Sequence, residues 1–216
     1  MSAAGTRRTS HHMIIPGNPQ DARFRCLGPT DDIYLTFDDG PVAEITATLL
    51  DQLARLKIPA TFFLNGESIH PGARELVERM RKEGHSIANH GYNHRRDTLD
   101  PEFAKMDSWL LESCKIQTRL IRPPFGEKRL AQQYLSANPA ATPYNWKVQF
   151  NEWDGPIDWD RASNDLIAMP CGSIILLHDG ALGNPKNTDR SQVFEATELV
   201  VRVCKTRGLT LSGLPM

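Results

Sequence analysis

No stretch of the chain approaches the roughly 20 consecutive apolar residues needed to cross a bilayer, which argues against a membrane span. Charge of one sign is also missing: 25 Lys and Arg face 26 Asp and Glu, leaving a net charge of −1. That balance speaks against nucleic acid or an anionic membrane as the main partner. Cysteine is scarce, and Cys26, Cys114, Cys171 and Cys204 are scattered with no C-x-x-C pair. This excludes a disulfide-rich scaffold or a zinc ribbon and reads as reduced thiols in a cytoplasmic protein. The twin arginine of "MSAAGTRRTSHHMIIPGNPQ" has no apolar run behind it, and Cys26 lacks the apolar lead-in of a lipoprotein site. Neither a secretory leader nor a lipid anchor is therefore expected, and the chain reads as cytoplasmic.

What remains is a soluble composition, 40% hydrophobic and 24% charged, in 216 residues. That is enough for one well-cored domain, including an α/β barrel near the small end of its range. Residues 1–30 read as an irregular arm, and 31–216 as the domain. Within it, short β-type runs ("DIYLTFD", "ATFFLNG", "HSIANH", "LIRPPFG", "YNWKVQF", "GSIILLHDG", "LTLSGL") alternate with stretches of helical period. The helices are expected over "VAEITATLLDQLARLK", "ARELVERMRKEG", "PEFAKMDSWLLESCKIQTR", "EKRLAQQYLSAN", "DRASNDLIAM" and "SQVFEATELVVRVCKTRG". About seven β/α units imply a parallel sheet covered by helices. Periodicity alone leaves open whether that sheet is a barrel, complete or not, or an open doubly wound sheet.

In either architecture the carboxyl ends of the strands converge on one rim. The first strand ends in Asp38 and Asp39, and the third runs out into His90 and His94. The fourth ends at "RPPFG", the fifth leads to Glu152 and Trp153, and the sixth ends in His178 and Asp179. An isolated Asp-Asp-Gly is usually a polar turn, but strand ends seldom gather so many metal-binding and proton-transferring groups.

His90 and His94 stand four apart in "NHGYNH", with Gly91 favouring a loop over a helix. Two imidazoles and one carboxylate make a zinc-type set that leaves coordination positions open. Asp38 and Asp39 would face opposite ways along a regular strand, but both can reach the rim if the strand ends between them. One would then ligate a cation, and the other would stay free as a general base for water. Arg122 could pair with the free aspartate and keep it ionised. His178, at the end of a buried strand, suits a general acid. His85 begins its strand and reads as structural, while His11, His12 and His70 receive no role.

"TFDDGP", "NHGYNH", "RPPFG", "NEW" and "ILLHDG" follow in the order and approximate spacing of the polysaccharide deacetylase family, also called carbohydrate esterase family 4 or NodB-homology domains. The chain resembles that family over nearly all of 31–214. The resemblance implies an α/β fold, a distorted (β/α)7-type barrel, with one divalent metal, most often Zn2+, replaceable by Co2+, Mn2+ or Ni2+. It implies Asp38 as base, Asp39, His90 and His94 as metal ligands, Arg122 steadying Asp38, and His178 as acid. By the same resemblance Glu152 tunes His178, the Phe125 N–H meets the oxyanion, and Trp153 and Leu176 wall a pocket for the acetyl methyl. The chain departs from the family's usual pattern at Gly91, where Ser or Thr is usual, and at Glu152, where Asp is usual. Lys147 and Gln149 also stand where acidic residues often occur. The activity so implied is removal of N-acetyl groups from an N-acetylated carbohydrate. The rivals are an O-acetyl ester or a small cyclic amide as substrate, or a glycan-binding protein with an inactive site. Nothing in the sequence specifies an oligomeric state.

Overall fold

The computed structural model describes residues 32–97, 100–182 and 190–215. The arm expected over 1–30, with His11, His12 and Cys26, lies outside them. In chain order the elements are β1 (Asp32–Asp38), α1 (Ala43–Leu56), β2 (Thr61–Leu64), α2 (Ala73–Lys82), β3 (Ser86–Asn89) and α3 (Phe103–Cys114). Then come β4 (Leu120–Ile121), α4 (Gln132–Ala137), β5 (Thr142–Pro143), β6 (Val148–Gln149), α5 (Trp159–Ala168), β7 (Ile174–His178), α6 (Gln192–Thr206) and β8 (Thr210–Ser212).

The strand order is β5-β4-β3-β2-β1-β7-β6, with β8 beside the start of β1, and the pairs are parallel. Read around a ring, this is simply chain order with one seam missing, between β5 and β6. The sheet is therefore a curled, incompletely closed barrel rather than a doubly wound sheet, whose order would reverse at a switch point.

The alternation along β1 shows why it folds this way. Ile33, Leu35 and Phe37 point outward into the layer beneath the helices, where they meet Leu49, Leu50 and Leu53 of α1 and Val193, Ala196 and Val200 of α6. Phe37 stacks on Phe62 of β2 with ring centroids 5.2 Å apart. Each such side chain contributes about 1.5–3 kcal/mol on full burial. The intervening residues face the barrel interior, where Tyr34 joins Phe63, Ala88, Leu120, Tyr144, Ile174 and Leu214 in a second core. Further up the same face stand Thr36 and Asp38, both buried and both polar. The interior is thus apolar at its base and charged beneath the rim.

Some elements differ from their sequence pattern. The helix expected to run on through "KIQTR" stops at Cys114, because Lys115 turns left-handed (φ 58°) and the chain dives to β4. "EKRLAQQYLSAN" opens with a 3-10 turn, Lys128–Ala131, before α4. Of "YNWKVQF" only Val148–Gln149 pairs as strand, and β5 was not expected. Among the described residues no helix is long and apolar enough to cross a membrane, and Cys114, Cys171 and Cys204 are free thiols.

Candidate active site

β1 ends at Asp38, the last residue in register with Phe63 of β2 and His178 of β7. Asp39 follows in a left-handed conformation (φ 76°), which Asp tolerates better than most residues. This turn breaks the strand alternation between the two aspartates, so both carboxylates reach the rim. Glycines make it fit: a side chain at position 40 would collide with the Asp179 carboxylate, and one at 180 with the Asp39 backbone.

The two acids then part company. Asp38 Oδ1 accepts from Arg122 Nη1 at 2.6 Å. Arg122 is fully buried, donates also to Thr36 Oγ1 (2.9 Å) and the Tyr144 carbonyl (3.2 Å), and lies with Cζ 3.9 Å from the Phe63 ring centroid. Burial pulls the guanidinium below its usual value, and the Asp38 charge opposes this. Deleting one partner of such a buried pair strands the other, at a cost of about 3–5 kcal/mol.

Asp39 instead faces imidazoles. Its Oδ1 is 3.5 Å from His90 Nε2 and 3.4 Å from His94 Nε2. One ligand atom from each of these residues lies within 4.8 Å of the others. The donor set fits a divalent cation on three grounds. His90 Nδ1 sits 2.8 Å from the Arg122 carbonyl, which can only accept, so the Nε2 lone pair is left for the cluster. Burial holds the His94 imidazole down to about 4, against the pull of Asp39, so it is neutral and able to ligate at pH 7. Asp39 Oδ1 is itself buried without a hydrogen-bond partner among the described residues. Burial raises the Asp39 pKa, but the neighbouring imidazoles of His90, His94 and His178 outweigh it and hold the carboxyl at about 2.

Opposite stands His178, whose Nδ1 is 2.8 Å from Glu152 Oε1, with Trp153 edge-on to the ring at 4.8 Å. Glu152 thus reaches His178 in spite of its extra methylene. Burial lowers the imidazole pKa, yet the Glu152 charge and hydrogen bond, helped by Asp39 and Asp38, carry it up to about 9. Phe125 (φ 60°) forms part of the wall, its ring 4.3 Å from that of His94 and capped by Arg96 at 4.2 Å. Leu176 faces the interior one pleat below His178, alongside Thr36. Gly91 has φ 83°, and a Cβ there would come within 2.8 Å of Pro101. In place of a hydroxyl, the Asn89 side chain braces this loop, accepting from the Gly91 N–H at 2.7 Å and donating to Asp107.

His85 lies away from the cluster, its Nδ1 accepting from the Ala60 N–H, as a structural histidine would. Sequence reasoning missed the end of β2, where Asn65, Glu67 and Ser68 reach the loops that carry His90, His94 and Asp39. It also gave no role to Asp179, whose carboxyl accepts from Thr46 Oγ1 (2.6 Å) and is pushed up to about 7 by burial. The rule that polar residues gather at strand ends had already placed Asp179 on the rim and, applied to β2, would have found Asn65 and its neighbours.

A curled parallel barrel whose rim joins a candidate Asp-His-His metal centre to an arginine-held carboxylate and a glutamate-held imidazole defines a class of hydrolase fold. Residues 28–138 match the sequence family described as polysaccharide deacetylase. The chain belongs to that family. It is 32% identical over 198 residues to a chitooligosaccharide deacetylase of Rhizobium leguminosarum bv. trifolii, an alignment covering 85% of this chain and 90% of the relative. Among solved structures it resembles the Bc1960 peptidoglycan N-acetylglucosamine deacetylase (TM-score 0.71, 29% identity, 86% and 87% of the two chains). It also resembles a family 4 acetyl xylan esterase from Clostridium thermocellum in complex with a cobalt ion (TM-score 0.68, 25% identity, 85% and 88%).

Proposed function

We propose that the domain, residues 31–216, hydrolyses the acetamide of an N-acetylglucosamine-type sugar, releasing acetate and leaving a free amine. The observation that carries this reading is the meeting, on one rim, of Asp39, His90 and His94 with Asp38–Arg122 on one side and His178–Glu152 on the other. Asp39, His90 and His94 would hold one divalent ion, zinc before cobalt, manganese or nickel. Such an ion, when bound, polarises the acetyl carbonyl and acidifies the attacking water.

The remaining steps belong to the chain. Asp38, kept ionised by Arg122, takes the proton of the water as its oxygen attacks the carbonyl carbon. The Phe125 N–H donates to the oxyanion of the tetrahedral intermediate. As the C–N bond breaks, His178 gives its proton to the nitrogen, and Glu152 holds the imidazolium in place. Trp153 and Leu176 enclose the acetyl methyl. The reduced thiols of Cys114 and Cys204, both buried, fit a cytoplasmic setting.

The test is acetate release from a panel of N-acetylglucosamine oligomers, with metal-free and zinc-loaded protein side by side. Zinc-dependent release is the expected result; a fully metal-loaded protein that releases none overturns the reading. The likeness to an acetyl xylan esterase favours an O-acetyl ester as second reading, so an acetylated xylan belongs in the panel.

A further inference from the structure

The turn after β2 touches the backbone of each candidate ligand. Asn65 Nδ2 donates to the His90 carbonyl at 3.1 Å, and the Gly66 N–H to the Gly91 carbonyl at 3.1 Å. Ser68 Oγ donates to the Asp39 carbonyl at 2.5 Å, and the His94 N–H donates to Glu67 Oε1 at 3.1 Å. The turn is itself braced, because Asn65 is fully buried, its Oδ1 accepts from the Glu67 N–H, and its own N–H donates to the Gly40 carbonyl.

These bonds differ in what they hold. His90 directly follows β3, and its N–H is paired with the Leu64 carbonyl as an extension of the ladder. His94 lies well past the strand, in a loop with no regular structure. Its backbone is tied by a side chain instead, and that side chain is exposed, on a residue the hydrolytic steps do not use. An exposed Glu there adds nothing to the core, and the Glu67 N–H contact to Asn65 Oδ1 needs no particular side chain at 67.

We propose that Glu67 is a positioning residue for the metal centre: by accepting the His94 N–H it fixes the loop so that Nε2 of His94 stays beside Asp39. What matters is an oxygen acceptor at that reach, not negative charge. The proposal rests on the reading of Asp39, His90 and His94 as metal ligands. It adds to that reading the residue that makes the most loosely supported ligand ready before the ion arrives. Partners that orient ligands are typically worth about 10–100-fold in metal affinity.

The experiment is a zinc titration against a chromophoric chelator, using the full chain and three variants. Glu67→Gln keeps the acceptor and drops the charge; Glu67→Asp keeps the charge and loses the reach; Glu67→Ala loses both. Glu67→Gln is expected to bind zinc within a few-fold of the parent, and Glu67→Asp and Glu67→Ala about tenfold or more weaker. Thermal melts of the metal-free proteins accompany the titration, so that a general loss of folding is seen as such. Equal affinity across the series overturns the proposal and leaves the metal site standing. Glu67→Gln as weak as Glu67→Ala overturns the acceptor role. A parent that binds no zinc, or binds it equally with His94→Ala, removes the metal reading and this proposal with it.

Discussion

In the proposed mechanism His178 acts as an acid, which requires that it hold a proton, and the charge of Glu152 favours that protonated form. With its pKa carried up to about 9, the basic limb of kcat/KM is expected near that pH. Glu152→Gln removes the charge and should move the limb toward the ordinary imidazole value of 6.5, seen as lost activity between the two in a pH–rate profile. The same shift couples to folding. Its stabilising contribution is complete below about 6.5 and disappears as pH rises through about 9, since the unfolded chain releases that proton earlier. Asp38→Asn keeps the shape but cannot take a proton, and should lower kcat by about 10²–10⁴ with zinc content retained. Normal turnover in Asp38→Asn would exclude Asp38 as the base. At this scale the sequence singled out residues whose type announces a chemistry, and the structure brings Asp38, Asp39, His90, His94 and His178 to one rim. Glu67 and Asn65 were not legible, because their work is done through backbone groups whose proximity only folding creates.

The loop after β3, which carries His90 and His94, accounts for Gly91. A residue with φ 83° and Pro101 within 2.8 Å of any Cβ has little choice but glycine. Gly91→Ser, which installs the hydroxyl usual in the family, is therefore expected to destabilise the fold by about 1–3 kcal/mol, measured by urea unfolding. An unchanged midpoint would mean the loop adapts freely. Elements with strong periodicity, such as α1, α2, α6, β1 and β7, lie where the pattern puts them. Those that escaped are short or interrupted. β5 has two residues, too few for any alternation to register, and α3 ends in mid-pattern because the sheet requires β4 next. Tertiary pairing, not local preference, decides such elements.

For the whole molecule, the apolar outer layer carries the fold and the polar candidate site lies at the rim, so an ion bound there would add to a structure already formed. Zinc at about 100 times its Kd should raise unfolding stability by about 2.7 kcal/mol, and a chelator should abolish the gain. Chemical denaturation with and without chelator reads this directly; stability indifferent to zinc would argue against a site in the folded state. The parallel sheet beneath helices was readable from strand and helix rhythm, whereas its curling into a barrel came from the family resemblance and the place of the missing seam from neither. Periodicity reports which face of a strand is buried and says nothing of whether two edge strands meet.

The position of β1 inside the sheet, between β2 and β7, has a consequence for how the protein is made. It leaves the ribosome first of the strands, yet its partners β7 and β8 are among the last to be synthesised. Thr36 and Ile175, which share a hydrogen bond, are separated by 139 positions, so at ~5–20 residues per second β1 waits about 7–28 s for that neighbour. Through that interval an apolar strand stays open along one side, which is when a nascent chain is most exposed to aggregation and most in need of a chaperone. Asp38 and His178 come together in the same late event, so β7 must be synthesised before these two side chains share a rim.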